Sequence, residues 1–248
     1  MSLLSVTRRG AGRPFVWLHG FTQTRDSAHR FRSILAETLQ LWTTDLPGHG
    51  SAHAVTASLD ETADLVSEVL PDEPVDLGGY SLGGRVALHV AMRHPGRVAR
   101  LVVLGASRGI ADDAERSARR RRDDDLAEHL EEIGAEAFLV EWLGQPLFAS
   151  VPKDPAELAA RSRDASGLAA SLRHAGTGTQ AWLGPRLALV TSPTLALAGS
   201  RDVKFVGESR EIARGVVDGH AAEVPDAGHA AHLEQPDAAA ALVLGFLA

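Results

Sequence analysis

Apolar residues along this chain gather into short solid runs, separated by longer stretches where they recur every three or four positions. The runs Phe15–Leu18, Leu41–Thr44, Val75–Gly78, Val98–Leu104, Thr194–Ala198 and His220–Val224 read as buried strands. The periodic stretches between them read as helices near Ser27–Leu39, over Leu82–Arg93, over Val206–Arg214 and from Pro236 onward. Another begins behind Ser58 (SLDETADLVSEVL), where Ser58 and Glu61 have the spacing of a capping box. From about Arg108 to Pro185 no strand pattern appears. That stretch is rich in Ala, Glu and Arg, and the breakers GQP, VPKDP and GTGT divide it into several helices.

Strands alternating with helices predict an α/β protein with a mostly parallel, doubly wound sheet. The expected core is 1–107 together with 186–248. The helical block 108–185, inserted after the strand Val98–Leu104, is expected to lie as a cap over the carboxyl edge of the sheet, where such sheets bind ligands.

Composition narrows the partners. A formal net charge of −7 speaks against nucleic acid, which calls for a basic face. The basic-acidic run Arg119–Asp125 (RRRRDDD) largely neutralises itself on a solvated helix face. With no cysteine, disulfides, thiolate metal sites and thiol nucleophiles are all excluded. The opening MSLLSVTRRGAGRPF has no apolar stretch long enough for a secretory leader, and no window reaches the length of a spanning helix. The expectation is a cytoplasmic protein, a monomer or weak dimer, with no membrane partner.

The candidate chemistry starts at Gly79-Tyr80-Ser81-Leu82-Gly83. A G-x-S-x-G pentamer is common by chance, but here a strand precedes it and a helix follows. That is the context of a nucleophile elbow, in which a strained turn holds the serine and side chains at the flanking glycines would clash. An oxyanion hole then needs two backbone N–H groups. Leu82, behind the serine, offers one, and Phe21, after the strand-ending His19-Gly20, offers the other. The order serine, acid, histidine continues with Asp202 past the strand TLALA and His229 past the strand ending at Val224. Imidazole is needed to take the serine proton, and the acid to fix its tautomer. Asp226 and His232 are the rivals. Asp226 sits in the same short loop as His229, and His232 lies a turn later. His-x-x-His-x-Glu (229–234) lacks a supporting third cluster, so no metal is expected, and His49 reads as structural.

These residues resemble the α/β-hydrolase superfamily and, within it, the 2-succinyl-6-hydroxy-2,4-cyclohexadiene-1-carboxylate synthases of menaquinone biosynthesis. The resemblance is carried in chain order by WLHGFTQT, DLPGHGSA, GYSLGGRVAL, ERSARRRRDDDLAEHL, EWLGQPLFAS, LRHAGTGTQAWL, GSRDVKF and AGHAAHLEQP. It implies a lyase without a cofactor, in which the triad abstracts a proton beside a succinyl ketone and pyruvate is expelled. It also implies substrate-binding roles for Arg85, Arg119 and Arg161, with Arg116, Arg120 and Arg163 as alternatives in the cap register, and a pocket lined by Tyr80, Trp142 and Phe148. Three substrate carboxylates on an acidic protein demand local arginines. One departure stands out: after Leu104 the family shows an acid and a Pro-Gly pair, where this chain reads LGASRGI.

Two other readings compete with the lyase. A serine hydrolase of carboxylate-bearing esters or carbon–carbon bonds would use Ser81 covalently. A catalytically silent receptor on the same fold would bind ligand without turnover.

Overall fold

A computed structural model describes residues 2–248. Seven strands form one sheet: β1 Val6–Arg9, β2 Arg13–Leu18, β3 Leu39–Thr44, β4 Val75–Tyr80, β5 Val98–Leu104, β6 Thr194–Gly199 and β7 Gly219–Val224. Their order is β1-β3-β2-β4-β5-β6-β7, with β1 antiparallel to β3 and every other neighbouring pair parallel. The sequence reading missed β1. Its residues VTRR carry one apolar side chain, and three of the four are exposed, so neither a buried run nor an alternation is visible. Polar residues suit a sheet edge.

The helices are α1 His29–Leu35, α2 Leu59–Val69, α3 Leu82–Arg93, α4 Asp113–Leu143, α5 Pro155–Ala159, α6 Ala165–Ala175, α7 Val203–Gly215, α8 Ala231–Glu234 and α9 Pro236–Leu247. Because successive strand side chains point to opposite faces, each central strand feeds two cores. Val16, Leu18, Leu101, Val103 and Ala196 join residues of α2, α3 and α7 on one face. Phe15, Trp17, Val102, Leu104, Leu195 and Leu197 join α1 and α9 on the other. Solid apolar runs are what a sheet buried on both faces requires.

Local signals hold where the chain acts locally. Ser58 and Glu61 form both halves of the capping box at the start of α2. α1, in contrast, is shorter than its periodicity predicts, because Leu39 belongs to β3. Its N-terminal residue pair receives no cap from its own side chains. The Glu157 carboxylate, from α5, accepts the N–H groups of Ala28 and His29 at 2.7 Å each. No reading of nearby residues exposes a cap supplied from 128 positions away.

Between β5 and β6 the chain runs through α4, α5 and α6, with α4 kinked at Gly134 (φ 79°). α4 and α6 bury Leu130, Phe138, Leu168 and Leu172 in a separate apolar cluster, against which Phe21 and Trp142 pack. The departure at LGASRGI has a structural counterpart. Gly105 takes the left-handed φ of 58°. Arg108 pairs with Glu208 and Glu211 of α7, lies over the Trp182 ring, and accepts the Leu183 N–H on its carbonyl. Ion pairs thus anchor the start of the helical segment to α7, and Arg108 in turn holds its end through Trp182 and Leu183.

Candidate active site

The strand-to-helix turn after β4 holds Ser81 at φ 51° and ψ −106°, backbone angles that cost a non-glycine residue about 1–3 kcal/mol. The glycines explain how the turn fits. A Cβ on Gly79 would lie 2.4 Å from the Gly83 carbonyl, and one on Gly83 would lie 2.2 Å from the Leu18 oxygen. The Ser81 N–H is held by the Leu104 carbonyl at 2.8 Å. As the first residue of α3, Leu82 has an N–H with no acceptor in its own helix, at the positive end of the helix dipole. The Phe21 N–H makes no hydrogen bond among the described residues.

The acid and the histidine converge on this turn. His229 Nδ1 lies 2.8 Å from Asp202 Oδ2, and His229 Nε2 lies 3.3 Å from Ser81 Oγ. Both the imidazole and the carboxylate are buried, at 3% and 8% side-chain exposure. The second Asp202 oxygen accepts the Phe205 N–H and so caps α7. The Phe205 and Tyr80 rings flank His229 at 4.4 and 5.3 Å between ring centres. A hydroxyl in this setting can pass its proton to the imidazole, whose remaining N–H the carboxylate fixes.

The rivals fall elsewhere. Asp226 is exposed and pairs with Arg201. His232 lies behind the Tyr80 ring at 4.2 Å, and its Nε2 meets Gln23 Nε2 at 3.2 Å. Burial, with the charges of Arg161 and His229 adding to it, pushes His232 down to about 3, so it stays neutral. Glu234 holds the N–H groups of Gly228 and Ala230. The three polar residues of the His-x-x-His-x-Glu stretch therefore face three different partners. His49 is buried with both ring nitrogens engaged, one by the Pro47 carbonyl and the other by the Thr22 N–H.

A cavity of about 20 Å³ sits over Ser81, walled by Phe21, Gln23, Tyr80, Trp142, Phe148 and Arg161. It has room for about one water. Tyr80 approaches so closely that a Cβ on Gly20 would lie 2.6 Å from its ring, and burial raises its phenol far above the ordinary value. Trp142 stacks on Phe138 at 5.8 Å and meets Phe148 at 5.6 Å.

The arginines divide. Arg161 is 8% exposed, lines the cavity, and donates to Thr22 Oγ1. Burial lowers its pKa, and among the described residues no carboxylate pairs with it. Arg163 points away to Glu136 and is not part of the cavity wall. Arg85 and Arg119 lie outside that lining, in a cluster of their own. Arg85 donates to the Ala175 carbonyl at 2.9 Å and to Gln180 Oε1 at 3.3 Å. Burial, then the Arg119 charge, lowers it to about 10, still protonated at neutral pH. Arg119 pairs with Asp123 at 2.7 Å, whereas Arg116 binds the Ile110 carbonyl and Asp113.

The sequence reading passed over two glutamines. Gln23 accepts the Gly20 N–H at 2.9 Å and lines the Ser81 cavity. Buried Gln180 bridges Arg85 and the Ser107 carbonyl. Both stood inside motifs already singled out, WLHGFTQT and GTG-x-Q, and a buried amide at fixed spacing from a glycine turn was the available signal.

Residues 15–242 match the model of an alpha/beta hydrolase family. Curated relatives called 2-succinyl-6-hydroxy-2,4-cyclohexadiene-1-carboxylate synthase include one from Serratia proteamaculans, 34% identical over 100% of this chain and 98% of the relative. Another, from Shigella dysenteriae, is 33% identical over 95% of each chain. Among solved structures, MenH from S. aureus superposes with a TM-score of 0.90 at 31% identity, covering 100% of this chain and 98% of that one. A thermophilic esterase from Thermogutta terrifontis, 23% identical with a TM-score of 0.81, shares the fold.

Proposed function

Since the chain belongs to the alpha/beta hydrolase family, and within it to the 2-succinyl-6-hydroxy-2,4-cyclohexadiene-1-carboxylate synthases, we propose that it is a carbon–oxygen lyase of menaquinone biosynthesis. Its substrate is 2-succinyl-5-enolpyruvyl-6-hydroxy-3-cyclohexene-1-carboxylate. Going from a 3-ene to a 2,4-diene requires a 1,4-elimination. The hydrogen on ring carbon 2, beside the succinyl ketone, leaves as a proton. The carbon 2 electrons form the new 2,3 double bond, the 3,4 double bond moves to 4,5, and the bond from carbon 5 to the enolpyruvyl oxygen breaks. The departing enolate takes up a proton and becomes pyruvate. No water is consumed.

In this proposal Ser81 Oγ removes the carbon-bound proton as its own passes to His229 Nε2, 3.3 Å away. Asp202 steadies the resulting imidazolium from 2.8 Å. The Phe21 and Leu82 N–H groups hold the succinyl ketone oxygen, onto which the electrons freed at carbon 2 delocalise before the 2,3 double bond forms, the same demand a tetrahedral oxyanion makes. Arg161 takes one substrate carboxylate, while Arg85 and Arg119 supply positive potential from the neighbouring cluster. Tyr80, Trp142 and Phe148 contact the ring, for which the cavity of about 20 Å³ has to widen. The observation that carries the reading is Arg161, a buried cation in the wall of the Ser81 cavity that pairs with no carboxylate among the described residues. It calls for an anionic substrate. The small substrate, a cytoplasmic setting and action as a monomer or weak dimer complete the proposal.

The test is pyruvate release from the purified precursor, followed with a coupled dehydrogenase. Wild-type protein should release pyruvate stoichiometrically, and Ser81→Ala should lose most of the rate. No pyruvate at high enzyme concentration would sink the proposal. The strained Ser81 beside a relayed imidazole also favours a second reading, a serine hydrolase of carboxylate-bearing esters. An acyl adduct on Ser81, with brisk turnover of such esters, would establish it.

A further inference from the structure

The Phe21 N–H belongs to the same planar trans peptide as the Gly20 carbonyl, so whatever holds that carbonyl aims the N–H the opposite way. Two donors hold it, His19 Nδ1 at 2.9 Å and the Gln23 N–H at 3.1 Å. The Leu46 N–H donates to His19 Nε2 at 3.0 Å, which leaves the His19 proton on Nδ1. Donors on a carbonyl also polarise the N–H of its peptide. On the far side of Phe21, Thr22 takes the left-handed φ of 67°, and its N–H donates to His49 Nε2 at 3.3 Å.

Gln23 grips Gly20 a second time, because its Oε1 accepts the Gly20 N–H at 2.9 Å. Only the amide oxygen can accept, so the NH₂ group turns toward His232 Nε2, 3.2 Å away, and donates to it. His232 then carries its proton on Nδ1, which meets no hydrogen-bond partner among the described residues. The ring is buried among Trp17, Phe31 and Tyr80. Phenylalanine would pack there without an unmade buried donor. What imidazole adds is the acceptor on its other nitrogen, which fixes the face that the Gln23 amide turns to Gly20.

We propose that Gln23 and His232 are positioning residues, a clasp on Gly20 that aims the Phe21 N–H at the developing oxyanion. The clasp rests on the reading of Phe21 as an oxyanion donor, but not on which reaction Ser81 supports. An enolate and a tetrahedral oxyanion load the same N–H.

The variants Gln23→Leu, His232→Phe and His232→Gln test it. Kinetics use the precursor, or a carboxylate-bearing ester if the wild type turns over that instead, so a failed lyase reading leaves the test intact. If it turns over neither, exchange of the Gly20 amide decides alone. Removing an oxyanion donor outright costs about 10²–10³ in kcat, and holding one off its direction costs less. Gln23→Leu should lower kcat about tenfold to a hundredfold, with KM within about threefold, and quicken Gly20 amide exchange about tenfold. His232→Phe should lower kcat about tenfold while the melting temperature holds or rises. His232→Gln returns an acceptor near the place of Nε2 and should keep kcat within about threefold of wild type. A raised KM with kcat intact would make Gln23 a substrate contact and overturn the proposal. So would unaltered Gly20 exchange in Gln23→Leu, or equal losses of kcat in the two His232 variants.

Discussion

Replacing Asp202 by Asn separates the relay from the fold. In the native site one carboxylate oxygen holds His229 Nδ1 at 2.8 Å and the other caps α7 through the Phe205 N–H at 3.4 Å. Asparagine keeps the cap, since Asn and Asp rank equally there, within about 1 kcal/mol. For a chain of this size that limits the loss of melting temperature to roughly 2–4 °C. The relay is affected differently. An amide can present an N–H to Nδ1, which drives the imidazole proton to Nε2, the atom that must accept from Ser81 Oγ across 3.3 Å. The corresponding change in a serine protease triad lowers kcat by about 10⁴, or roughly 5.5 kcal/mol of barrier. Here the expected loss of kcat for pyruvate release is on the order of 10³–10⁴, with a smaller change in KM. Steady-state kinetics and a thermal melt on the same preparation decide it. A fall under tenfold in an intact protein would refute the relay.

Gly83→Ala places a Cβ 2.2 Å from the Leu18 carbonyl oxygen, backbone that cannot step aside. It should cost at least about 3 kcal/mol in urea unfolding, at the severe end of single substitutions. Arg161→Ala should raise KM at least tenfold and lower kcat less, read by initial rates over a range of substrate concentrations. Acid should unfold the protein through His49 and His232, both held near 3 by burial. Their folded pKa lies below the unfolded value, so their contribution is complete above about pH 6.5 and is lost as pH falls from there toward 3. Each adds up to about 1.4 kcal/mol per pH unit, so urea midpoints should fall steeply between pH 6 and 5, and a flat profile would count against neutral buried histidines.

The sequence carried most of the sheet because β2, β4, β5 and β6 are buried on both faces, and such strands advertise themselves as solid apolar runs. The same holds for the elbow and the relay. Ser81, Asp202 and His229 each follow a readable strand end, so their meeting depends on topology that the alternation of elements already implies. β1 stayed hidden for the opposite reason, since an edge strand of VTRR satisfies its hydrogen bonds without burying a hydrophobic pattern.

What spacing could not supply is the third dimension of the helical segment. Arg119 and Arg116 are three residues apart on one helix, as near neighbours as a helix allows, yet one meets Asp123 and the other Asp113. The family resemblance implies a substrate-binding role for Arg85, which lies one turn past the elbow but outside the lining of the Ser81 cavity. Its guanidinium instead reaches sideways to Ala175 and Gln180, at the end of α6, because those acceptors are what let a buried cation keep its charge. Arg161 and Arg163 lie two positions apart and separate only in space: the Ala160 carbonyl, held by Thr24 and Ser27, and the Ser162 N–H, held by the Thr22 carbonyl, fix the backbone on either side of Arg161, which turns inward to Thr22 Oγ1 while Arg163 meets Glu136. The relay was visible in the chain because each of its members follows a strand end, whereas the sequence left Arg161 and Arg163 open, and only the packed helices show which of the two faces the Ser81 cavity.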